Sequence, residues 1–353
     1  MRDWTNAEWV DPQLGWKPLE VPDLPPRVLL DLATKCNLRC PMCPVWGSED
    51  NNAIDSVKGV MDLNEMRRLL DTLTPAHPMV QPSIYGEPTL APKIREWVLD
   101  LKSRGMPVAM NTNGLSISED LARFFVEQEV DSIMFSIDSV TKATLKKIRG
   151  IDKLEKIENA VFRMLKARGT SPKPRIGVSF TIQNDNQHEL EAFIKRWVGV
   201  VDVVRTCPIF ENGTFQGVVE PEIRQPCPAL YKTMPVHNDG QVTICCLDGF
   251  KDTNVGNVFK EGVDAVWQGE SFAKVRYYHE TGQWDKVPFC KSCNGWAQYD
   301  YEEEVREGIL IRRSPQFTYY NKIDQLSNWQ GQLLGGHEAP PVELTMPSVG
   351  MAE

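Results

Sequence analysis

The chain has no apolar stretch approaching the length of a membrane span, and its first ten residues, Met1 to Val10, are polar with Trp4 and Trp9 among them. It also lacks any Lys/Arg-rich run interleaved with aromatics, and with a net charge of -9 this disfavours a nucleic-acid partner, so none is expected. Histidine is scarce: there are five, and the first is His77. Cysteine is present without the look of a disulfide framework. Nine cysteines, an odd number in short-spaced sets, read as metal ligands in a reducing compartment, so a cytosolic protein is expected. Charged residues make up 25% and hydrophobic residues 41%, ordinary for a soluble globular protein, and 353 residues suffice for one large or two modest domains.

Residues 1–26 carry Trp4, Trp9, Trp16 and five prolines, which suits an extended segment wrapping a surface. From Arg27 onward short apolar runs alternate with amphipathic segments. Strands are expected at Val28 to Ala33, then near Met79 to Tyr85, Pro107 to Asn111, Ser132 to Ile137, Arg175 to Ile182 and Val200 to Cys207. Helices are expected at Asp62 to Leu73, with Asp62 as N-cap, and at Lys93 to Ser103, Glu119 to Glu127, Leu154 to Ala167 and His188 to Trp197. Six strand-helix units in series imply a parallel sheet with right-handed crossovers, and an open six-unit α/β barrel fits the number. Ligands of such sheets sit at the carboxyl ends of the strands.

The first strand leads into Cys36-Asn-Leu-Arg-Cys40-Pro-Met-Cys43. Three thiolates on one tight loop can each reach a different iron of a four-iron cluster, leaving one iron open to a small molecule, as open metal sites are when catalytic. A zinc knuckle would want a fourth Cys or His close by, and a structural cluster and a chance spacing are the other competing readings. A second constellation is Cys227, Cys245, Cys290 and Cys293, whose four thiolates satisfy a closed site. There Asn238-Asp-Gly240 ahead of Val242 and Ile244 reads as a hairpin turn presenting Cys245. Zinc held by four cysteines is an open alternative for this set.

The C-x3-C-x2-C run, with Met42 where an aromatic is usual, resembles the signature of the radical S-adenosylmethionine (SAM) superfamily. The resemblance implies a partial (β/α)6 barrel over residues 27–210, a SAM-binding [4Fe-4S] cluster on Cys36, Cys40 and Cys43, and reductive cleavage of SAM to a 5'-deoxyadenosyl radical. Gly86-Glu87-Pro88 resembles the family's GGEP motif with Tyr85 in place of the first glycine, and implies contacts to the methionine amino group. Asn113 and Ser136 are implied for the ribose and carboxylate, Arg149 as the arginine pairing with the SAM carboxylate, and Ile182 beside the adenine. The C-x17-C-x44-C-x2-C spacing resembles the twitch form of the SPASM auxiliary domain, over residues 211–300, and implies one auxiliary [4Fe-4S] cluster on Cys227, Cys245, Cys290 and Cys293. Residues 301–353 are expected to form a C-terminal helix and a flexible tail.

The outcome of the implied reaction depends on further residues. An oxidation would need a base, for which Asp248 and Asp138 are candidates. An epimerisation would need a hydrogen-atom donor, with Cys246 first and Cys207 second; the bland alternative for each is a buried thiol. The resemblance favours a small polar substrate of the sugar or aminocyclitol kind, with a ribosomally made peptide as the alternative, and a reducing donor such as flavodoxin or ferredoxin. A non-catalytic metal-binding scaffold is the reading from a different class.

Overall fold

Six parallel strands follow one another along the chain: β1 (Arg27–Leu30), β2 (Met79–Gln81), β3 (Ala109–Thr112), β4 (Ser132–Ser136), β5 (Arg175–Ile182) and β6 (Val203–Pro208). The structure, a computed structural model, describes residues 20–297 and 302–324. Trp4, Trp9 and Trp16, and the tail expected beyond Asp324, lie outside the described residues. Between the strands run α1 (Asn51–Val57), α2 (Leu63–Leu73), α3 (Ile94–Ser103), α4 (Glu119–Glu127), α5 (Lys142–Arg149), α6 (Leu154–Arg168) and α7 (Leu190–Trp197). The two sheets that hold these strands meet at one parallel bridge, Val80 to Val108, between β2 and β3. No helix among the described residues is long and apolar enough to cross a membrane.

The helices form where the sequence spaces apolar residues at three and four. Asp62 caps α2 by accepting from Asn64 N and Glu65 N at 2.9 and 3.0 Å, and Met66, Leu69, Leu70 and Leu73 are buried on one face. In α6 Leu154, Ile157, Val161 and Met164 do the same. Phe180 of β5 packs on Phe193 of α7 with ring centroids 4.9 Å apart. Each such side chain contributes about 1.5–3 kcal/mol by leaving water. Helix α5 had no expected counterpart: only Leu145 and Ile148 among its hydrophobic residues are buried, too sparse an apolar pattern to announce it.

Beyond β6 come the short hairpin β7 (Phe210–Glu211) and β8 (Thr214–Phe215), then α8 (Ala229–Lys232), β9 (Thr233–Val236), β10 (Gln241–Thr243) and β11 (Asn254–Asn257). Helices α9 (Val258–Glu261), α10 (Val263–Trp267) and α11 (Glu270–Glu280) follow. Strand β9 lies parallel to β1, pairing Arg27 with Thr233 through Leu30 with Val236, and β10 and β11 add antiparallel outside it. The Asn238-Asp-Gly240 turn forms as expected, with Gly240 at φ +82°, a conformation costly for any residue with a Cβ. Asn238 fastens it to the first barrel loop by donating to Thr34 Oγ1 at 2.6 Å and Val57 O at 2.9 Å. Trp267 and Gln268 donate to Pro22 O, both at 2.8 Å.

The helix expected at the start of residues 301–353 is corrected. Residues there form a three-stranded antiparallel extension, β12 (Glu302–Arg306), β13 (Ile309–Arg313) and β14 (Thr318–Lys322), with β14 antiparallel to β6. The physical reason is the edge of β6, whose unpaired backbone groups β14 satisfies, and the turn at Glu307-Gly308, both in left-handed conformations.

Candidate functional site

The loop after β1 folds on itself through Cys43 N–H to Cys40 O and Gly47 N–H to Cys43 O, both 2.9 Å. Its three thiols are free, with Cys40 buried and Cys36 and Cys43 half-buried. Each faces a donor: Leu38 N–H lies 3.4 Å from Cys36 Sγ, Trp46 N–H 3.3 Å from Cys43 Sγ, and Arg149 Nη1 4.0 Å from Cys40 Sγ. Burial pushes the Cys36 thiol up to about 11 and raises that of Cys40, where the Arg149 charge opposes the rise. Ligation would therefore release protons, and the surrounding donors suit thiolate sulfur.

All three thiols line one cavity of 320 Å³ at the carboxyl ends of the strands. Gly86, Glu87, Asn113, Ser136 and Arg149 line it too, so the structure brings together most of the residues singled out in the sequence. Gly86 admits no side chain, since a Cβ would stand 2.0 Å from Ala33 O. Glu87 is 3% exposed and its carboxylate is fully engaged: Oε1 accepts from Thr89 Oγ1 and Thr112 Oγ1, each at 2.6 Å, and Oε2 from Asn113 N at 2.7 Å. The carboxylate thus fastens the turn to the end of β3, and Pro88 is buried beneath it. Asn113 reaches back to the cysteine loop, donating to Asn37 Oδ1 at 2.7 Å.

Two expectations on this wall change. Thr181, not Ile182, lines the cavity, because strand alternation turns Ile182 away. Asp138, considered as a base, is wholly buried and bonded on both oxygens, from Arg149 Nη2 at 2.5 Å and Thr181 N at 2.7 Å. It sits at φ +66° with Asn186 Nδ2 donating to its carbonyl at 3.0 Å. Arg149 accordingly stands between Cys40 and Asp138, still facing the cavity.

The second cysteine set is gathered from three separate segments around Arg224, which donates to Cys290 O at 2.6 Å and Lys291 O at 3.1 Å and lies 4.7 Å over the Trp284 ring. Burial pushes Cys227 up to about 12 and raises Cys290 and Cys293, with the Arg224 charge opposing in each. Backbone N–H groups again face sulfur, Leu247 N at 3.4 Å from Cys245 and Gly295 N at 3.2 Å from Cys293. Sequence reasoning missed Arg224, whose exposed-looking context in Glu222-Ile-Arg-Gln gives no signal. Among the described residues no three His, Cys, Asp or Glu side chains gather closely enough to hold a single metal ion. Cluster ligands, each on a different iron, stand further apart than the ligands of one ion.

Asp248, the other expected base, is corrected as well. It is 1% exposed; Oδ1 accepts from Asp252 N at 3.1 Å, and Oδ2 from Thr253 N and Oγ1 at 2.7 and 2.6 Å, so it shapes its own loop. Cys246 is exposed although residues crowd around it, and the neighbouring Cys245 thiol draws its pKa down to about 7. Cys207 is half-buried, 3.9 Å from Thr181 Oγ1. Tyr85 links the two centres, its hydroxyl donating to Leu247 O at 2.8 Å and its carbonyl accepting from Trp46 Nε1 at 2.9 Å. An outer cavity of 450 Å³ adjoins the first, with Met42, Cys43, Ile209, Phe210 and Leu247 lining both.

The model of the radical SAM superfamily matches residues 31–196, and that of an iron-sulfur cluster-binding domain, SPASM, matches residues 227–294. A tungsten-containing aldehyde ferredoxin oxidoreductase cofactor-modifying protein of Pyrococcus furiosus is 31% identical over 167 residues, 46% of this chain and 45% of that one. A probable GTP 3',8-cyclase of Saccharolobus islandicus is 28% identical over 167 residues, 47% and 51% of the two chains. The chain thus spans about half the length of these curated relatives. Among solved structures, BtrN in complex with AdoMet and 2-DOIA is 16% identical with a TM-score of 0.52, covering 77% of this chain and 93% of that one. SuiB of Streptococcus suis bound to the precursor peptide SuiA is 14% identical with a TM-score of 0.56, covering 72% and 67%. At these identities the likeness is one of fold.

Proposed function

Because the chain belongs to the radical SAM superfamily and carries a C-terminal iron-sulfur cluster-binding domain of the SPASM type, we propose that it cleaves SAM reductively and uses the resulting radical on a small polar substrate of the sugar or aminocyclitol kind. Radical SAM domains bind a [4Fe-4S] cluster and SAM, and SPASM domains bind auxiliary iron-sulfur clusters. When bound, the cluster and SAM supply a 5'-deoxyadenosyl radical able to take hydrogen from an unactivated C–H bond.

The carrying observation is the convergence of three free thiols on a cavity that also holds Gly86, Glu87, Asn113, Ser136 and Arg149. The residues fit the group: the loop would hold the cluster through Cys36, Cys40 and Cys43, and N–H and guanidinium donors already face their sulfurs. Cys227, Cys245, Cys290 and Cys293 would hold the auxiliary cluster beside Arg224. Gln81, Asn111 and Thr181 line the cavity with neutral hydrogen-bonding groups, which suits a hydroxyl-rich substrate. Asp138 and Asp248 are both committed to internal bonds, so the oxidation reading lacks its two candidate bases. Neither Cys246 nor Cys207 is among the residues lining the two cavities, so the thiols favour epimerisation no more than the carboxylates favour oxidation, and the reading keeps both outcomes. Reductive cleavage of SAM would draw its electron from an external one-electron donor of the flavodoxin or ferredoxin kind.

The outer cavity supports a second reading, modification of a ribosomally made peptide. Its 450 Å³ are lined by Met42, Phe210, Phe250 and Phe289, an apolar wall that suits side chains better than a sugar. The test is anaerobic reconstitution followed by iron and sulfide assay and measurement of dithionite-dependent 5'-deoxyadenosine. About eight irons and 5'-deoxyadenosine are expected. No 5'-deoxyadenosine despite a formed first cluster would overturn the proposal, and tritium wash-in from solvent with candidate sugars or peptides separates the two substrate classes.

A further inference from the structure

The hairpin β7–β8 forms a two-stranded sheet of its own, pairing Phe210 with Phe215 and Glu211 with Thr214. Its turn is Asn212-Gly213, with both residues at positive φ, +52° and +82°, the mirror-image turn whose twist matches the flanking strands. The Phe210 and Phe215 rings pack with centroids 4.9 Å apart. An isolated two-stranded hairpin is marginal in water, so something outside it must hold it. It nevertheless forms part of the site: Phe210, Glu211, Asn212 and Gly213 line the outer cavity, and Phe210 lines the cavity at the cysteine loop as well.

The support comes from the Cys290-Lys-Ser-Cys293 turn and the residue after it. Gln216 N–H bonds back to Ile209 O at 2.9 Å, so the N–H and C=O of Phe215 point outward, where a third strand would lie. The Asn294 side chain takes that place: its Oδ1 accepts from Phe215 N at 2.7 Å and its Nδ2 donates to Phe215 O at 2.9 Å. One planar amide thus satisfies both edge groups, as a neighbouring strand would. Gly213 approaches Ser292 so closely that a Cβ would stand 3.0 Å from the Ser292 hydroxyl oxygen. Asn294 is buried, and its own carbonyl accepts from Gln316 Nε2 at 3.0 Å, in the turn ahead of β14.

Asn294 has little freedom of its own. It follows Cys293 directly, and Gly295 N–H turns back to Cys293 Sγ at 3.2 Å, with only 3.1 Å left between that sulfur and a Cβ on Gly295. Cys293 N–H in turn lies 3.3 Å from Cys290 O. The residue that caps the hairpin is therefore set between a cysteine and an N–H group facing the sulfur of that cysteine. Whatever fixes the sulfurs of Cys290 and Cys293 fixes the hairpin. Pro288, Phe289 and Ser292 line the outer cavity beside it, so turn and hairpin make one wall. Asn294 itself lines neither cavity, and nor do Cys227, Cys245, Cys290 and Cys293.

We propose that Asn294 is the positioning residue through which the second cysteine set holds this wall, so that a metal centre bound there sets the space open to substrate in the outer cavity. The role asks only for ligation of Cys290 and Cys293, and it holds for an iron-sulfur cluster and for zinc alike. It gives the second set a task in substrate selection apart from any electron transfer. That the wall meets substrate rests on the function proposed above; the coupling of metal site to hairpin does not.

The test is hydrogen-deuterium exchange of the reconstituted full chain, read at the Phe215 amide and, as a control for global folding, across β5. Asn294→Ala is expected to speed exchange at Phe215 about tenfold while β5 protection and the metal content of the second set stay as in the wild type. Asn294→Asp keeps the acceptor for Phe215 N–H and is expected to speed it less. A Cys290→Ala, Cys293→Ala variant, unable to close the second site, should match Asn294→Ala at Phe215; Cys293→Ser carries that arm if β5 exchange shows the double variant to be unfolded. Unchanged exchange at Phe215 in Asn294→Ala, or in the folded cysteine variant, would overturn the inference. Formation of 5'-deoxyadenosine by the wild type is measured in parallel: its absence would sink the function proposal alone and leave the exchange to decide the wall.

Discussion

The two cysteine sets solve one problem from opposite starting points. The first places three thiols on a single loop between Cys36 and Cys43, where local hydrogen bonds such as Cys43 N–H to Cys40 O already shape the turn. The second gathers Cys227, Cys245, Cys290 and Cys293 from segments that only the fold brings near, with Arg224 tying two of them by its bonds to Cys290 O and Lys291 O. Each ends with backbone N–H donors facing sulfur and one arginine whose charge acts on the thiols, Arg149 in contact with Cys40 in the first and Arg224 bonded to the backbone beside Cys290 in the second. Thiolate charge needs the same compensation however its ligands are assembled. What differs is the source of precision: chain connectivity in one, and tertiary packing of α8, the β9–β10 hairpin and the Pro288–Cys290 turn in the other.

The sharpest way to separate the two sets is to delete the first. A Cys36→Ala, Cys40→Ala, Cys43→Ala variant should lose all 5'-deoxyadenosine formation while keeping about four irons in the second set, measured by iron assay. Retained SAM cleavage would break the assignment of the two roles.

A second effect concerns the arginine of the first set. Arg149 and Asp138 form a buried pair with side chains 9% and 0% exposed, so Arg149→Ala should cost about 3–5 kcal/mol in a urea unfolding series by stranding the Asp138 carboxylate. A cost below about 1 kcal/mol would show the pair to be dispensable.

The hairpin that presents Cys245 is expected to be acid-sensitive through its own histidine. Burial, with Lys251 adding, holds His237 down to about 4, against an ordinary value of about 6.5. The unfolded chain binds a proton below about pH 6.5 that folded His237 refuses, so this stability is complete above pH 6.5 and drains away as pH falls toward 4. The full difference is about 3 kcal/mol. His237→Asn should flatten the pH 6.5 to 4 limb of the unfolding curve relative to wild type, and an unchanged limb would remove His237 as its source.

The smallest effect tests the link between the centres. Tyr85→Phe removes the hydroxyl that donates to Leu247 O and should cost about 1 kcal/mol, with little change in first-cluster iron.

Much of the barrel could be read from the sequence. Arg175 to Ile182 and Glu119 to Glu127 coincide with β5 and α4, and Asp62 caps α2 as its position implied. The reasons are local: β-branched and aromatic alternation, apolar spacing at three and four, and a short side chain at a helix start. The candidate site was legible where residues follow one another in the chain, as in the cysteine loop and the Gly86-Glu87-Pro88 turn. It was misread where a role depends on a distant partner. Asp138 and Asp248 look like free carboxylates in sequence; folding gives them Arg149, Thr181 and Thr253. Ile182 differs from Thr181 by one step of strand alternation, which sequence spacing alone does not phase against the lumen.

By itself the sequence determined the strand-helix alternation, the three-thiol loop and the polar strand ends, because these rest on periodicity and on contacts only a few residues apart. Tertiary structure alone decided that β14 rather than a helix closes the edge of β6, that β9 docks on β1, and that Asn294 caps the outer edge of β8. Edge pairing depends on which backbone and which side chain come near in space, and no residue carries that information in its neighbours along the chain.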